Sequence, residues 1–208
     1  MSLAIDYYFA PQSPWSYLGH QRFWDIARQR GAQIRLRPVD LGGKVFPVSG
    51  GLPLAKRAPQ RQAYRLLELK RFSEWLHAPL NLQPRHFPVN GDDAARLIIA
   101  ADLKDGTDAA MRLTLGVMRA VWAEERNIAD EPTLGALLAE ARLPAVRLED
   151  AHSQAVHERY EAYTQQAIDA GVFGAPSYVV EGEVFWGQDR LDFLDRALAS
   201  RAAATTPR

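Results

Sequence analysis

The sequence predicts an α/β protein in which a βαβ unit at the start of the chain and a ββα unit at its end enclose a long helical segment. A β-type run, a helix and a second alternating run follow one another before residue 40, which is the length of a βαβ unit. Two short apolar runs flank a glycine turn near residue 182, and helical periodicity fills the chain between the two units. We therefore expect one domain from residues 1–45 and 172–208, with an all-helical domain inserted at 46–171.

The N-terminal unit starts with residues 3–9 (LAIDYYF), whose β-branched and aromatic side chains predict a strand. Ser13 and Pro14 are favoured types at the N-cap and first position of a helix. Gly31 is placed to end that helix, and residues 32–38 alternate as a second strand. A loop rich in glycine and proline follows at 40–53.

The middle of the chain carries four apolar stripes at helical spacing, and each is most simply the core face of a helix. The segment between the first two stripes, PRHFPVN at 84–90, contains too many helix breakers to continue either helix. The four stripes are Leu66, Leu69, Phe72 and Leu76; Met111, Leu115, Met118 and Trp122; Leu134, Leu137, Leu138 and Ala141; and Val156, Tyr160, Tyr163 and Ala167.

The C-terminal unit begins with two short strands, SYVV at 177–180 and EVFW at 183–186, joined by Glu181 and Gly182. A two-residue connection with glycine second is typical of a hairpin. Residues 188–200 then carry leucines on one helical face, and the tail 202–208 is expected to fray.

Composition excludes several classes of function. Lysine plus arginine and aspartate plus glutamate each number 25, so the net charge is zero and a nucleic-acid partner is not expected. The absence of cysteine excludes structural disulfides, thiolate metal sites and a cysteine nucleophile. His152 and His157 are five apart and do not share a helical face, so no metal site is expected. No run approaches the ~18 apolar residues of a membrane span, and we expect a cytoplasmic protein with no membrane partner.

Four segments are more specific: FAPQSPWSYL at 9–18, HFPVN at 86–90, GVFGAPSYVV at 171–180 and VFWGQDRLDFL at 184–194. As a set they resemble the 2-hydroxychromene-2-carboxylate isomerases and the related kappa-class glutathione transferases. The resemblance implies a thioredoxin-like domain with an inserted helical domain, glutathione as cofactor, a small aromatic substrate and a homodimer. The implied activity is a glutathione-dependent cis-trans type isomerisation that converts 2-hydroxychromene-2-carboxylate-like intermediates to benzylidenepyruvates.

The resemblance places Ser13 where disulfide oxidoreductases carry their reactive cysteine. A hydroxyl at a helix N-terminus can donate a hydrogen bond to a thiolate, and the helix dipole adds positive potential there. Ser13 is therefore the candidate catalytic and cofactor-binding residue, and the alternative is that it only caps the helix.

The same resemblance implies a glutathione site at two further places. The bond between Ala175 and Pro176 is expected to be cis, with the Ala175 backbone contacting the peptide part of glutathione. Gln188, Asp189 and Arg190 open the last helix; Gln188 and the helix N–H groups would bind the γ-glutamyl carboxylate, and Asp189 would pair with its ammonium. The alternative is that Asp189 caps the helix and Arg190 forms a surface ion pair.

Lys44 and Asn90 are the candidate substrate-binding residues. The isomerases use a lysine of the loop after the second strand to hold the substrate carboxylate; Lys44 lies in this loop, and Lys56 and Arg57 compete for the role. Asn90 is either a polar wall of the pocket or a side chain that stabilises its loop.

Two other functions stay open at this point. A kappa-like glutathione transferase would need the same first half of the reaction, and a thioredoxin-like binding module would have lost its activity. A disulfide oxidoreductase is excluded because the chain has no cysteine.

Overall fold

The fold is built on a four-stranded sheet, and most of the helices are inserted between its second and third strands. The structure is a computed structural model that describes residues 3–205. The strands are β1 (Ala4–Phe9), β2 (Gln33–Pro38), β3 (Ser177–Val180) and β4 (Glu183–Trp186). The helices are α1 (Pro14–Gln29), α2 (Phe46–Ser49), α3 (Pro59–Trp75), α4 (Asp92–Asp105), α5 (Thr107–Trp122), α6 (Glu131–Glu140), α7 (Arg147–Ala151), α8 (Gln154–Asp169) and α9 (Leu191–Thr205). Short π or 3₁₀ turns lie at Leu41–Val45, Leu54–Lys56 and Gln188–Arg190.

Strand pairing brings four chain segments to one end of the sheet. The strand order is β2-β1-β3-β4; β1 is parallel to β2, and the other two pairs are antiparallel. Ser177 lies opposite both Tyr8 and Trp186, and Phe9 is paired with Pro38. The ends of β1, β2 and β4 therefore lie beside the start of β3. This topology confirms the predicted α/β class with its βαβ and ββα units.

Local sequence signals fix the ends of α1 and the β3–β4 hairpin as predicted. Ser13 is the N-cap of α1 and Pro14 is its first residue. Gly31, just past the end of α1, has φ +62°, in the left-handed region that glycine tolerates best. Glu181 and Gly182 have φ of 51° and 84°, and two positive φ angles match the twist of the flanking strands.

Helix α4 is the element that the sequence stripes miss. Its apolar residues surround the helix, so no single face stands out in the sequence. In contrast, Leu69 is the one member of the predicted Leu66 stripe that is buried, and α3 exposes Tyr64, Leu67 and Trp75. The buried residues of α4 are Ala94, Ala95, Leu97, Ile98, Ile99, Ala100 and Ala101.

Two further boundaries differ from the prediction. The segment 40–53, predicted as a loop, contains a π turn and α2, and the Asp40 carboxylate caps the turn by accepting from the Gly43 N–H at 2.7 Å. Helix α9 continues to Thr205, so part of the tail predicted to fray is helical. The last predicted tail residues, 206–208, lie outside the described residues.

One hydrophobic cluster joins the sheet to the inserted helices. Helices α2–α8 occupy residues 46–169, between β2 and β3. The domain boundaries at 45/46 and 171/172 stay predictions. Within residues 3–205, no helix has both the length and the apolar character needed to cross a membrane.

His20 is a polar link inside this cluster. Its Nε2 lies 3.0 Å from the Met111 carbonyl oxygen of α5, so Nε2 carries the proton and donates it. Its Nδ1, 3.2 Å from the Tyr7 hydroxyl, is then the acceptor of that hydroxyl. Burial lowers the pKa of His20 from 6.5 to about 4, and the bond to Met111 opposes this only in part. The neutral imidazole thus joins β1, α1 and α5.

Gly19→Ala tests the contact of α1 with β3 and with the turn that follows β4. A Cβ at Gly19 would lie 2.8 Å from the Gln188 Cβ and 3.0 Å from the Tyr178 hydroxyl, so we expect a loss of about 1–3 kcal/mol in the free energy of unfolding. Gly116→Ala is the matched control, since its Cβ would meet only Leu137 at 3.7 Å, and alanine should stabilise that helix by up to ~1 kcal/mol. Urea denaturation measures both, and equal effects would contradict the expected contact.

His20 should make the protein less stable in mild acid. The unfolded histidine, with a pKa of 6.5, binds a proton that the folded one, with a pKa of about 4, does not, so stability falls as the pH falls between these values. At 1.36 kcal/mol per pKa unit, the loss is about 2 kcal/mol between pH 7.5 and pH 5. Denaturation of wild type and His20→Gln at both pH values measures it. The variant should lose less stability than wild type over this interval, and an equal loss would rule out His20 as the cause.

Candidate functional site

The segments that follow β1 and β4 meet the segment that precedes β3 at the shared end of the sheet. Gly187, after β4, donates its backbone N–H to the Pro176 carbonyl at 2.9 Å. The turn at Gln188–Arg190 in turn packs against α1, where Gly19 leaves room for the Gln188 side chain. Ser13, Pro176 and Gln188 are therefore held on neighbouring elements of one rigid scaffold.

Ser13 is a buried hydroxyl, only 8% exposed, at the positive end of α1. Its Oγ accepts from the Ser16 N–H at 3.2 Å, and its backbone N–H donates to the Ala10 carbonyl at 2.9 Å. A serine hydroxyl that accepts one hydrogen bond keeps its own proton for donation. Ser13 can thus donate its proton to an anion that also lies in the positive potential of the α1 N-terminus. It can cap the helix at the same time.

Seven buried side-chain polar atoms have no hydrogen-bond partner within residues 3–205. Three lie in Trp24, Ser49 and Arg96. The other four, in or beside the segments that hold Ser13 and Gln188, are the Gln12 side-chain oxygen, the Ser16 and Tyr178 hydroxyls and the Gln188 amide nitrogen. Buried polar groups are almost always hydrogen-bonded, so such atoms indicate a bound ligand or ordered water. The residues present therefore fit a small polar ligand.

The Ala175–Pro176 bond is cis, as expected. Ala175 is buried, and the next residue, Ser177, donates its hydroxyl to the Gly174 carbonyl at 2.8 Å. The indole of Trp186 also covers Gly174, where any Cβ would collide with it. The backbone before β3 is thus fixed, while a ligand contact by Ala175 stays a prediction.

Gln188 and its two neighbours differ in their surroundings. The Gln188 side chain is 1% exposed, and its Oε1 accepts from Arg22 at 3.2 Å. Asp189 and Arg190 are exposed and pair with each other at 2.5 Å, which is the surface ion pair weighed as the alternative. Arg190 also lines a cleft of about 390 Å³ on the β4 side of the molecule.

Lys44 and Asn90 have other partners in this structure. The Lys44 ammonium forms an exposed ion pair with Glu161 of α8. The Asn90 Oδ1 accepts from the Asp92 N–H at 2.7 Å and so stabilises the loop before α4. Among the competitors, Arg57 donates to the Leu52 carbonyl. Substrate contacts by these residues stay predictions.

The sequence analysis missed a cluster of side chains beside Ser13. The Trp122 indole donates to the Gln12 carbonyl at 3.2 Å, and the Phe87 ring lies 4.7 Å from the Trp122 ring. Gly91 contacts Gln12 so closely that a Cβ would overlap its side chain. The Arg65 guanidinium lies over both rings. The one available signal was the series of arginines at 57, 61 and 65, which has no acidic residue within it.

Comparison with known proteins matches this sequence and fold to a family. Residues 4–199 match the family model described as a DSBA-like thioredoxin domain. The chain is 30% identical over 199 residues to a 2-hydroxychromene-2-carboxylate isomerase of Sphingobium xenophagum, covering 95% of this chain and 99% of that protein. It is 32% identical over 200 residues to a protein of the same name from Pseudomonas putida, covering 94% of each.

A solved structure and a more distant relative agree with these matches. The structure of a 2-hydroxychromene-2-carboxylate isomerase superposes with a TM-score of 0.79 at 28% identity, covering 99% of this chain and 100% of that one. Glutathione S-transferase kappa 1 of Caenorhabditis elegans is 24% identical over 209 residues, covering 91% of this chain and 88% of that protein. The chain therefore belongs to the DSBA-like thioredoxin domain family and, within it, to the 2-hydroxychromene-2-carboxylate isomerases.

Proposed function

We propose that this protein is a glutathione-dependent isomerase of 2-hydroxychromene-2-carboxylate or a similar aromatic degradation intermediate, with a benzylidenepyruvate as product. The observation that carries the proposal is the buried Ser13 hydroxyl at the start of α1, in a member of this family whose chain has no cysteine. An enzyme of this kind needs a sulfur nucleophile from elsewhere, and glutathione supplies one.

Bound glutathione would supply a thiolate that adds reversibly to the conjugated substrate and permits rotation about a former double bond. Ser13 stabilises that thiolate by donating its hydroxyl proton, which the hydrogen bond accepted from Ser16 leaves free. The N-terminus of α1 contributes fixed positive potential at the same position. Both effects lower the pKa of a thiol held there below its usual ~8.5.

The remaining glutathione contacts are assigned to the two loops beside Ser13. The backbone of Ala175, held by the cis bond to Pro176, binds the peptide part of glutathione. The Gln188 amide, whose nitrogen has no partner within residues 3–205, binds the γ-glutamyl carboxylate. Asp189 and Arg190 are exposed enough to exchange part of their mutual ion pair for a ligand, with Asp189 taking the ammonium.

On the substrate side, Lys44 and Asn90 stay the residues proposed from the sequence. Lys44 lies on the loop that leaves β2 at the same end of the sheet, but it would have to give up its ion pair with Glu161 to hold a carboxylate. An exposed ion pair contributes only ~0–1 kcal/mol, so this exchange costs little. The cytoplasmic location and the homodimer also stay predictions.

A glutathione transferase is the second candidate, and the relative named glutathione S-transferase kappa 1 favours it. Both activities need the same activated thiolate, and they differ in whether the adduct is released as product or reverts. Turnover of a hydroxychromene carboxylate without consumption of glutathione supports the isomerase. A binding module that has lost its activity would bind glutathione and turn over neither class of substrate.

Ser13→Ala should lower isomerase turnover at least tenfold, because it removes the hydrogen bond to the thiolate. The cost to folding should be only about 1 kcal/mol, the usual value of an N-cap. Steady-state kinetics and thermal melting of the same preparation separate the two effects. Normal turnover in the variant would show that Ser13 only caps α1.

Asp189→Asn should weaken glutathione binding by roughly tenfold to a hundredfold, the equivalent of one charge-assisted hydrogen bond of ~1.5–3 kcal/mol. Quenching of tryptophan fluorescence by titrated glutathione measures the Kd. Cysteinylglycine, which lacks the γ-glutamyl group, should lose much less affinity.

Asp192→Asn is the matched control, since Asp192 lies three residues further on, in the first turn of α9, with its side chain 85% exposed. It should bind both thiols as wild type does. If Asp189→Asn weakened both thiols in equal proportion, Asp189 would be supporting the shape of the site without contacting the ligand.

A further inference from the structure

Arg65 is a half-buried cation whose partners among the described residues are aromatic rings. Its guanidinium carbon lies 5.4 Å from the centre of the Phe87 ring and 5.7 Å from that of Trp122. Among residues 3–205, no carboxylate forms an ion pair or hydrogen bond with it. Burial, reinforced by the charge of nearby Arg57, lowers the pKa of Arg65 from 12.5 to about 10.

Other arginines with little exposure behave differently in this protein. The Arg37 side chain is 17% exposed and binds Asp6 at 2.6 Å. The Arg147 side chain is 14% exposed and binds both Asp105 and Asp150. Partial burial of a charge is unfavourable unless the charge is paired, and the fold supplies a carboxylate in these two cases. At Arg65 the described residues supply no carboxylate, so this cation is open to an outside anion.

Arg65 is connected to the segment that holds Ser13 through the buried ring of Trp122. The Trp122 ring beneath its guanidinium donates to the carbonyl of Gln12, the residue before Ser13. Helix α3, which carries Arg65, also packs on the start of α1 through the rings of Trp15 and Phe72, 6.0 Å apart. One side chain thus separates the cation from the segment that holds the catalytic hydroxyl.

The chemistry of this arrangement suits a flat anion. A guanidinium presents parallel N–H groups that match the two oxygens of a carboxylate, and a half-buried aromatic ring such as Phe87 suits contact with a planar ring. Arg57 adds positive potential. Arg65 has no ion pair within residues 3–205 to give up, whereas Lys44 would first have to leave Glu161, at the small cost of an exposed pair.

We infer that Arg65, in place of the Lys44 expected from the sequence, binds the carboxylate of the aromatic substrate, with the ring of that substrate against Phe87. The inference rests on the proposed function for the identity of the substrate. It assigns the anion contact to the inserted helices.

Arg65→Met, which keeps the length and apolar contacts of the side chain, tests the assignment with two stable probes. Chromone-2-carboxylate carries the anion on a related fused ring, and chromone-2-carboxamide is its neutral counterpart. By calorimetry, wild type should bind the carboxylate more tightly than the carboxamide. The variant should lose at least tenfold in affinity for the carboxylate and keep its affinity for the carboxamide. Arg65→Lys should fall between the two because it retains charge without the planar pair of donors.

Two comparison variants complete the experiment. Arg71→Met removes an exposed arginine of the same helix, which pairs with Glu68, and should bind the probes as wild type does. Lys44→Met tests the competing assignment. Equal affinity of wild type and Arg65→Met for the carboxylate, or loss of the carboxylate preference in Lys44→Met alone, would overturn the inference.

The glutathione titration keeps this test separate from that of the proposed function. Arg65→Met should bind glutathione normally and should raise KM for the carboxylate substrate more than it lowers kcat. If the wild-type protein does not bind glutathione and does not turn over the substrate, the proposed function is refuted. Retained glutathione binding with an unaltered carboxylate affinity in Arg65→Met refutes only the role of Arg65.

Discussion

The antiparallel pairing of β1 with β3 is the contact on which the site depends. It places Ser177 beside Tyr8, so the cis bond before β3 and the helix start after β1 lie at the same end of the sheet. The hairpin then brings Trp186 to the other side of Ser177 and directs the Gln188 turn back toward α1. A shift of one residue in this register would turn the side chains of β3 to the opposite face and separate the three segments. The geometry of the loops is thus a property of the sheet.

The features that could be predicted from the sequence are those determined within short segments. The Ser13-Pro14 cap and the hairpin turn depend on neighbouring residues, so they were predicted correctly. Helix α4 was missed because burial on all sides removes the periodicity that reveals a helix. The ion pair of Lys44 with Glu161 joins residues 117 apart, and a partner so distant cannot be read from one sequence. Arg65 is a similar case: its surroundings come from α5 and from the loop before α4, and each segment taken alone is ordinary.

Charged and polar side chains have different partners in the body of the protein and in the segments around Ser13. Where arginines help to hold the fold together, carboxylates face them, as at Arg147, and those contacts need no outside partner. In the segments that hold Ser13 and Gln188, polar atoms of Gln12, Ser16 and Gln188 are buried without partners among residues 3–205, and the Arg65 guanidinium rests on the rings of Phe87 and Trp122. A ligand could form the hydrogen bonds that these polar atoms lack, and until it binds, the unpaired atoms lower the stability of the fold.

The single hydrophobic cluster that unites the sheet with the inserted helices limits how the protein can move. Trp122 and Tyr7 are both fully buried in it, and α1 packs between the elements that carry them. Hinge opening of the helices away from the sheet would expose these side chains to water and lose much of the apolar burial. Small molecules are therefore expected to enter by rearrangement of side chains at the rim, and unfolding is expected to be a single cooperative transition of the whole chain.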